Sequence, residues 1–327
     1  MHYLNFRIYS QIFVISFFSA FTYPIYGQHW KPNKPIRLIV GFAPGGAADV
    51  VSRIISEQLS IALGQQVLTD NRIGANGLIG YEILSKSTPD GYTIGTLGDS
   101  STLIPYLYKN SKIDPRTSFL PISMIASQPL VIAINASVKA INLQEFITLA
   151  RNRPNTYSFG SSGNGHPQHL TGELIKKIGK FEMTHIPYKG GGQAVIDLVG
   201  GQIQAAVLGS SPVIPHYRTG KVRILPVTTK KRSTILPEIP TLSESGILGI
   251  DVSQWQSLIA PANTPKLIIN RFNLEIAKAL ARPTTRDKLG SLGFEVNSSS
   301  PEELATVIRN TMDRWEPLVK ELKLELE

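Results

Sequence analysis

The chain contains no cysteine. That excludes disulfides, a thiol nucleophile, cysteine-ligated metals and a lipidated N-terminal cysteine. With 327 residues, 42% of them hydrophobic, the chain can build a core large enough for an exported protein to do without disulfides. Charged residues are scarce, at 17%, which excludes a disordered polyampholyte. The net charge of +9 is scattered, with no arginine-rich tract and no zinc-ligand spacing, so no nucleic-acid partner is expected. A diffuse positive field favours small anions and anionic surfaces instead. Residues 1–27 hold no acid, and their apolar run "IFVISFFSAF" (12–21) is too short to span a bilayer. Arg7 ahead of the run and turn-prone "TYPIYGQ" behind it predict a secretory signal peptide over 1–27, cleaved near Gly27, rather than an uncleaved anchor. Loss of Arg7 leaves 32 basic against 24 acidic residues, a net charge of +8. An exported, cysteine-free chain points to a soluble protein of a bacterial periplasm.

After residue 34, strands and helices alternate. "IRLIVGF" (36–42) reads as a strand, followed by a helix to Leu63, a strand at 65–70, a helix at 78–87 and a strand at 92–98. "LVIAIN" (130–135) is a strand, and 143–154 a helix capped by Asn142 and stopped by Pro154. Residues 156–179, 183–201 and 202–220 each repeat strand, small-residue loop, helix. Two helices close the chain near 265–281 and 301–322, the second opening on a capping box of Ser300 and Glu303 with Pro301 between. Alternation of this kind predicts an α/β fold with a largely parallel sheet.

Four strand-to-helix turns are rich in small residues, at 43–47, 160–167, 189–192 and 209–212. Ligands of open α/β sheets bind at the carboxyl ends of the strands, where helix N-termini offer free N–H groups to anions. "FAPGGAAD" (42–49) carries no Lys or Arg at its turn, so any anion there is held by backbone and helix dipole. It is neither a dinucleotide fingerprint nor a phosphate loop, and no cofactor is expected. Asp49 pairs with Arg53 one turn on, a structural role. "GSSGNGHPQHL" (160–170) offers Ser161, Ser162, Asn164 and two imidazoles, but His166 and His169 lack the further ligands a metal needs, so no metal is expected. "PYKGGGQA" sets Tyr188 and Lys189 before three glycines, and "LGSSPVIPH" ends a strand at Gly209, Ser210 and Ser211. Each turn alone reads equally as a tight turn with glycines at positive φ. Together they suggest a site that wraps a small polar anion.

Those same blocks carry a family resemblance. "KPIRLIVGFAPGGAADVVSRIISEQL", "GANGLIGYEILSKSTPDGYTIG", "YSFGSSGNGHPQHLTGEL", "HIPYKGGGQAVIDLVGGQI" and "WQSLIAPANTP" stand in the order found in the Bug family, the periplasmic solute receptors of tripartite tricarboxylate transporters, and the likeness covers nearly all of 34–320. The resemblance implies a two-domain, type II Venus-flytrap periplasmic binding protein with a ligand cleft between the domains. The first domain would be 28–127 plus 253–327, and the second 128–252. It also implies a monomer that captures a small carboxylate without catalysis and delivers it to a two-subunit membrane permease. Its ligand-binding residues would be a pincer of Phe42, Ala43, Pro44, Gly45, Gly46 and Ala47 from one domain and Ser161, Ser162, Gly163, Asn164 and Gly165 from the other. Ser100, Ser101 and Thr102 match its hydroxyl-bearing turn, His169 its usual histidine, and His166, Tyr188, Lys189, Gly209 and Ser210 complete the lining.

Two departures bear on the ligand. Family members often end the strand after "GGQ" in an aspartate that could receive a ligand amine; here that end is Leu208–Gly209, and Gln204 replaces another acid. A ligand without a primary amine follows. His166 and Pro167 replace small residues, narrowing the pocket or adding a pH-sensitive donor. Two other readings compete: a periplasmic hydrolase using Ser162 or Ser100 with a histidine, which lacks the G-x-S-x-G elbow, and a sensory receptor touching a membrane kinase.

Overall fold

A computed structural model describes residues 30–154 and 156–326; the expected signal peptide at 1–27 lies outside them. The chain opens with β1 (Ile36–Val40), α1 (Ala47–Leu63), β2 (Val67–Asn71), α2 (Leu78–Ser85) and β3 (Thr93–Gly98). A 3-10 turn over Asp99–Leu103 and a short α3 (Ile104–Leu107) lead to β4 (Phe119–Asn135). Then come α4 (Leu143–Asn152), β5 (Ser158–Ser161), α5 (Pro167–Gly179), β6 (Thr184–Pro187), α6 (Gly191–Val199), β7 (Ala205–Gly209), α7 (Ser210–Arg218) and β8 (Val222–Val227). The return runs through β9 (Ser253–Pro261), α8 (Lys266–Ala281), α9 (Pro283–Ser291), β10 (Glu295–Val296) and α10 (Pro301–Glu321).

Strand periodicity builds the layers. Ile36, Leu38 and Val40 of β1 pack with Val51, Ile55 and Leu59 of α1 and Phe272 and Ile276 of α8. Ile39, between them in sequence, faces the other way onto Tyr81 and Leu84 of α2. In the second half, Ala206 and Leu208 of β7 face Ala194 and Leu198 of α6, while Ala205 and Val207 join the opposite cluster with Phe146 and Phe159. Helices thus cover both faces, as in α/β folds with buried parallel strands. The expected caps are present: Asn142 accepts from the Glu145 N–H, and Ser300 and Glu303 form the capping box.

The sheet is not largely parallel. Pairs β1–β2, β1–β3, β5–β6 and β5–β7 are parallel, but β3–β9, β9–β4, β4–β7, β4–β8 and β10–β4 are antiparallel. The cause is the pair of long strands that carry the chain from one half to the other and back. β4 pairs with β9 from Phe119 to Pro129, then with β7 and β8 from Leu130 to Asn135. It therefore belongs to both halves of the sheet, order β2-β1-β3-β9-β4-β7-β5-β6.

Candidate functional site

The register brings the strand ends together. β1 and β3 run parallel, so their carboxyl ends lie at one edge, and Gly98 at the end of β3 sits opposite Gln256 near the start of β9. In the other half, β5 and β7 run parallel, and Gly209 at the end of β7 sits opposite Leu130. Gln128 and Gln254 face each other between these points. The turns after β1, β3, β5 and β7 all open toward this junction, where a ligand of an α/β protein is expected.

At the first turn, Phe42 and Ala47 are half-buried and Ala43, Pro44, Gly45 and Gly46 are exposed. Gly45 takes φ +82°, which favours glycine. Its N–H donates to Asp49 Oδ2 at 2.9 Å, and the Gly46 N–H reaches the Ala43 carbonyl at 3.3 Å. These two donors are occupied within the turn. No side chain caps α1, so the N–H groups of Ala47 and Ala48 are the ones that point outward from the helix start. Asp49 is buried and fixes the turn: it also accepts from Arg53 Nε and Asn71 Nδ2, each at 2.9 Å, and Asn71 Nδ2 reaches the Phe42 carbonyl at 2.9 Å. Burial pushes the Asp49 carboxyl up, but hydrogen bonds from Arg53, Gly45 and Asn71 outweigh it and hold the group below its ordinary value.

The hydroxyl turn after β3 is buried. Tyr81 donates to Ser101 Oγ at 2.8 Å, Ser101 donates to the Asn76 carbonyl at 3.1 Å, and Thr102 to the Asp99 carbonyl at 2.6 Å. Ser101 and Thr102 thus brace the turn.

The turns of the second half form one wall. A Cβ on Gly191 would stand 3.4 Å from Ser162 Oγ and 3.9 Å from Pro212, which places the starts of α6 and α7 beside the 161–165 turn. The Tyr188 N–H donates to the Ser161 carbonyl at 3.0 Å, and its hydroxyl donates to Asp197 at 2.8 Å. Lys189 is exposed at the rim. Within the 161–166 turn most N–H groups have partners: Ser162 gives to Gln168 Oε1 at 2.9 Å, Gly163 to Ser161 Oγ at 3.2 Å, and Gly165 to His169 Nδ1 at 3.2 Å. The half-buried Ser162 hydroxyl and the exposed Asn164 remain to face a ligand. Gly209 and Ser210 are buried under the two glutamines: Gln128 Nε2 donates to Gln254 Oε1 at 2.6 Å, and Gln128 Oε1 accepts from the Ser211 N–H at 2.7 Å.

Three histidines back this wall. His169 and His185 stack with ring centroids 3.8 Å apart, and His185 Nε2 lies 2.7 Å from Ser161 Oγ. Burial, with its neighbour His169, pushes His166 down to about 4. Burial and Lys176 push His169 down to about 4, and burial with His169 and Lys176 pushes His185 to about 3. His166 is neutral at neutral pH, with Nδ1 accepting the Gln168 N–H at 3.4 Å, so it caps α5 rather than offering a positive charge. The serine that meets a histidine is the fully buried Ser161, not Ser162 or Ser100, and among the described residues no carboxylate hydrogen-bonds His185.

Residues 51–324 match the family described as "Tripartite tricarboxylate transporter family receptor". The chain belongs to this receptor family. Protein BugT of Bordetella pertussis is 33% identical over 298 residues, covering 90% of this chain and 91% of that protein. Among solved structures, periplasmic binding protein BugD is 31% identical with TM-score 0.79, covering 90% of this chain and 100% of that one. Rpa4515 of R. palustris, solved with adipate, is 31% identical with TM-score 0.80 over 88% of this chain and 97% of that one. MatC of Rhodopseudomonas palustris, with bound malate, is 26% identical with TM-score 0.78 over 88% and 99%. The fold of this receptor is that of the two-domain periplasmic binding proteins, and the family consists of solute-binding proteins rather than enzymes. The fully buried Ser161 and the half-buried His185 are accordingly a structural pair.

Several residues that shape the candidate site carry no mark in the sequence. Asn71, Gln168 and His185 each reach a turn from another element, and no local motif marks them. Gln128 and Gln254 carried one signal, since they fall where the chain was expected to cross.

Proposed function

We propose that this protein is a periplasmic receptor that captures a small carboxylate lacking a primary amine. Residues 28–127 with 253–327 form one domain and 128–252 the other, and the ligand lies between them. Two observations support this division: β4 changes partners after Pro129, and β9 begins at Ser253. The ligand's carboxylate meets the N–H groups of Ala47 and Ala48 on one side, and Ser162, Asn164 and the start of α6 on the other, with water completing the shell. The loaded receptor, a monomer, hands its ligand to a two-subunit membrane permease.

The observation that carries the reading is the convergence of the uncapped α1 and α6 starts at the strand ends with no free acid beside them; Asp99 at the end of β3, unpaired among the described residues, lies buried and lines a separate cavity. An ammonium group needs a carboxylate. Asp49 is saturated by Gly45, Arg53 and Asn71, Asp197 is held by Tyr188, and amides occupy the end of β7. Adipate bound to Rpa4515 and malate bound to MatC, both amine-free carboxylates, agree with this choice.

The experiment is thermal unfolding of the protein lacking residues 1–27 against mono-, di- and tricarboxylates, aromatic acids and amino acids. A ligand at 100 times its dissociation constant stabilises by about 2.7 kcal/mol. A shift with an amine-free carboxylate is expected. A shift with amino acids alone would keep the receptor and overturn the ligand class.

A further inference from the structure

A polar cavity lies where the chain returns to its first half, between the start of β9 and α10. It has a volume of about 170 Å³, and neither the 43–47 turn nor Ser100–Thr102 lines it. Its walls come from three places: Asp99 at the end of β3, the returning segment Asp251–Trp255, and the α10 residues Arg314 and Trp315. Asp99, Trp255 and Trp315 are buried and form its floor, while Asp251 and Arg314 are exposed and stand at its mouth.

The floor holds an electrostatic problem. Asp99 is 2% exposed, and neither of its carboxylate oxygens has a hydrogen-bond partner among the described residues. Backbone N–H groups of Ser100 and Trp255 lie near it without reaching hydrogen-bond geometry. Trp315 Nε1, on the same floor, is likewise without a partner. A buried ionised carboxylate with no partner is among the most unfavourable groups a protein can hold. It must either carry a proton or meet a positive charge in the space it faces. That space is large enough for an ion with several waters, each of which occupies about 30 Å³.

We propose that this cavity binds one small monovalent cation, an alkali ion or ammonium, received by the Asp99 carboxylate. Charge balance selects a single positive charge. At the mouth, Asp251 and Arg314 attract each other, and Asp251 also accepts the Lys230 N–H at 2.9 Å. Asp99 is then the one uncompensated charge. A divalent ion lacks its ligands, since no group of three or more acidic or imidazole side chains gathers among the described residues. The occupied site ties the returning segment to α10 through β3, at the point where the chain passes between its halves. The site is independent of the proposed carboxylate cleft.

A proton competes with the cation for Asp99. Burial pushes this carboxyl up to about 7, partly offset by the nearby backbone N–H groups. The titratable groups facing it are Tyr81 from α2, Asp251 from the returning segment and Arg314 from α10. Cation binding should therefore be present at pH 8 and suppressed at pH 5.5.

The test is the unfolding midpoint of the ligand-free protein at pH 8 and constant ionic strength, with N-methylglucamine chloride replaced stepwise by sodium, potassium or ammonium chloride. At least one should raise the midpoint saturably by about 2 °C. The rise should vanish in Asp99→Asn and at pH 5.5. Identical midpoints in all four salts would mean that Asp99 carries only a proton and would overturn the site, as would a rise retained in Asp99→Asn. A second measurement needs no variant. Thallium(I), a monovalent heavy ion, should quench the fluorescence of Trp255 and Trp315 saturably, with reversal by the cation that stabilises. Purely collisional, linear quenching also overturns the proposal.

Discussion

At the scale of single residues, the donors that matter are those the fold leaves unused. The Gly45 and Gly46 N–H groups are held within their turn, so the first donor left free for the proposed carboxylate is the Ala47 N–H. Ala47 is the first helical residue, a position proline tolerates because its N–H has no partner inside the helix. Gly46, at φ −74° and ψ 166°, already has the extended conformation required before proline. Ala47→Pro should therefore leave the unfolding midpoint within a degree or two and weaken carboxylate binding about tenfold or more, the loss of one hydrogen bond to a charged group. Calorimetric titration beside thermal unfolding checks both halves; unchanged affinity would remove the 43–47 turn from the site.

The three histidines give a second prediction at this scale. Their folded values lie at about 4, 4 and 3, below the ordinary 6.5. Depressed histidines keep the folded state deprotonated, so below pH 6.5 the unfolded chain binds more protons. Stability is complete above about 6.5 and falls as pH drops toward 4, by at most about 1.4 kcal/mol per pH unit for each group. Urea unfolding at pH 7.5 and 5 should show this loss, and His185→Gln should reduce it. An equal loss in the variant would mean that His185 is as easily protonated folded as unfolded.

At the scale of elements, the strand–turn–helix units at 36–63 and 156–220 were legible because each couples a local apolar run to a small-residue turn and a helical repeat. The long strands were not. "FLPISMIASQ" and the polar opening "SQWQS" carry little local strand signal, and they become strands by pairing with each other across 126 or more residues. Strand preference of this kind lives in the neighbours rather than in the segment. The antiparallel pairs all involve these two strands, so local alternation alone points to a largely parallel sheet. Local pattern also hides why β7 ends in glycine. A Cβ at Gly209 would lie 2.5 Å from Gln254 Oε1 and 2.6 Å from Gln128 Nε2, the half-buried and buried members of the pair at the crossing. Gly209→Ala should push these amides apart and destabilise the protein by about 1–3 kcal/mol. Denaturant unfolding measures it; a neutral result would show the glutamine pair to be free to move.

At the scale of the whole molecule, sequence placed the four turns but not their donors' allegiance, because side chains such as Gln168, His169 and Asp49 reach back into the turns in ways that spacing alone does not fix. The halves are joined by two antiparallel strands, a glutamine pair and edge contacts such as the Ser211 hydroxyl on the Leu292 carbonyl and Ser233 on Glu295, and also by a shared apolar cluster running from Leu97 and Trp315 to Phe146 and Phe159, with α10 against α5 and Lys177 paired to Glu321 at 2.7 Å. A carboxylate that satisfies donors from both halves at once gains only when they approach, so binding shifts the population toward a closed form. Small-angle scattering should therefore show a smaller radius of gyration at saturating ligand than without it. In Gly209→Ala, where the junction is wedged, the compaction should shrink or need more ligand. A profile unchanged at saturation, with binding verified by calorimetry on the same sample, would mean that the ligand enters a preformed cleft and that the crossing strands act as a strut rather than a hinge.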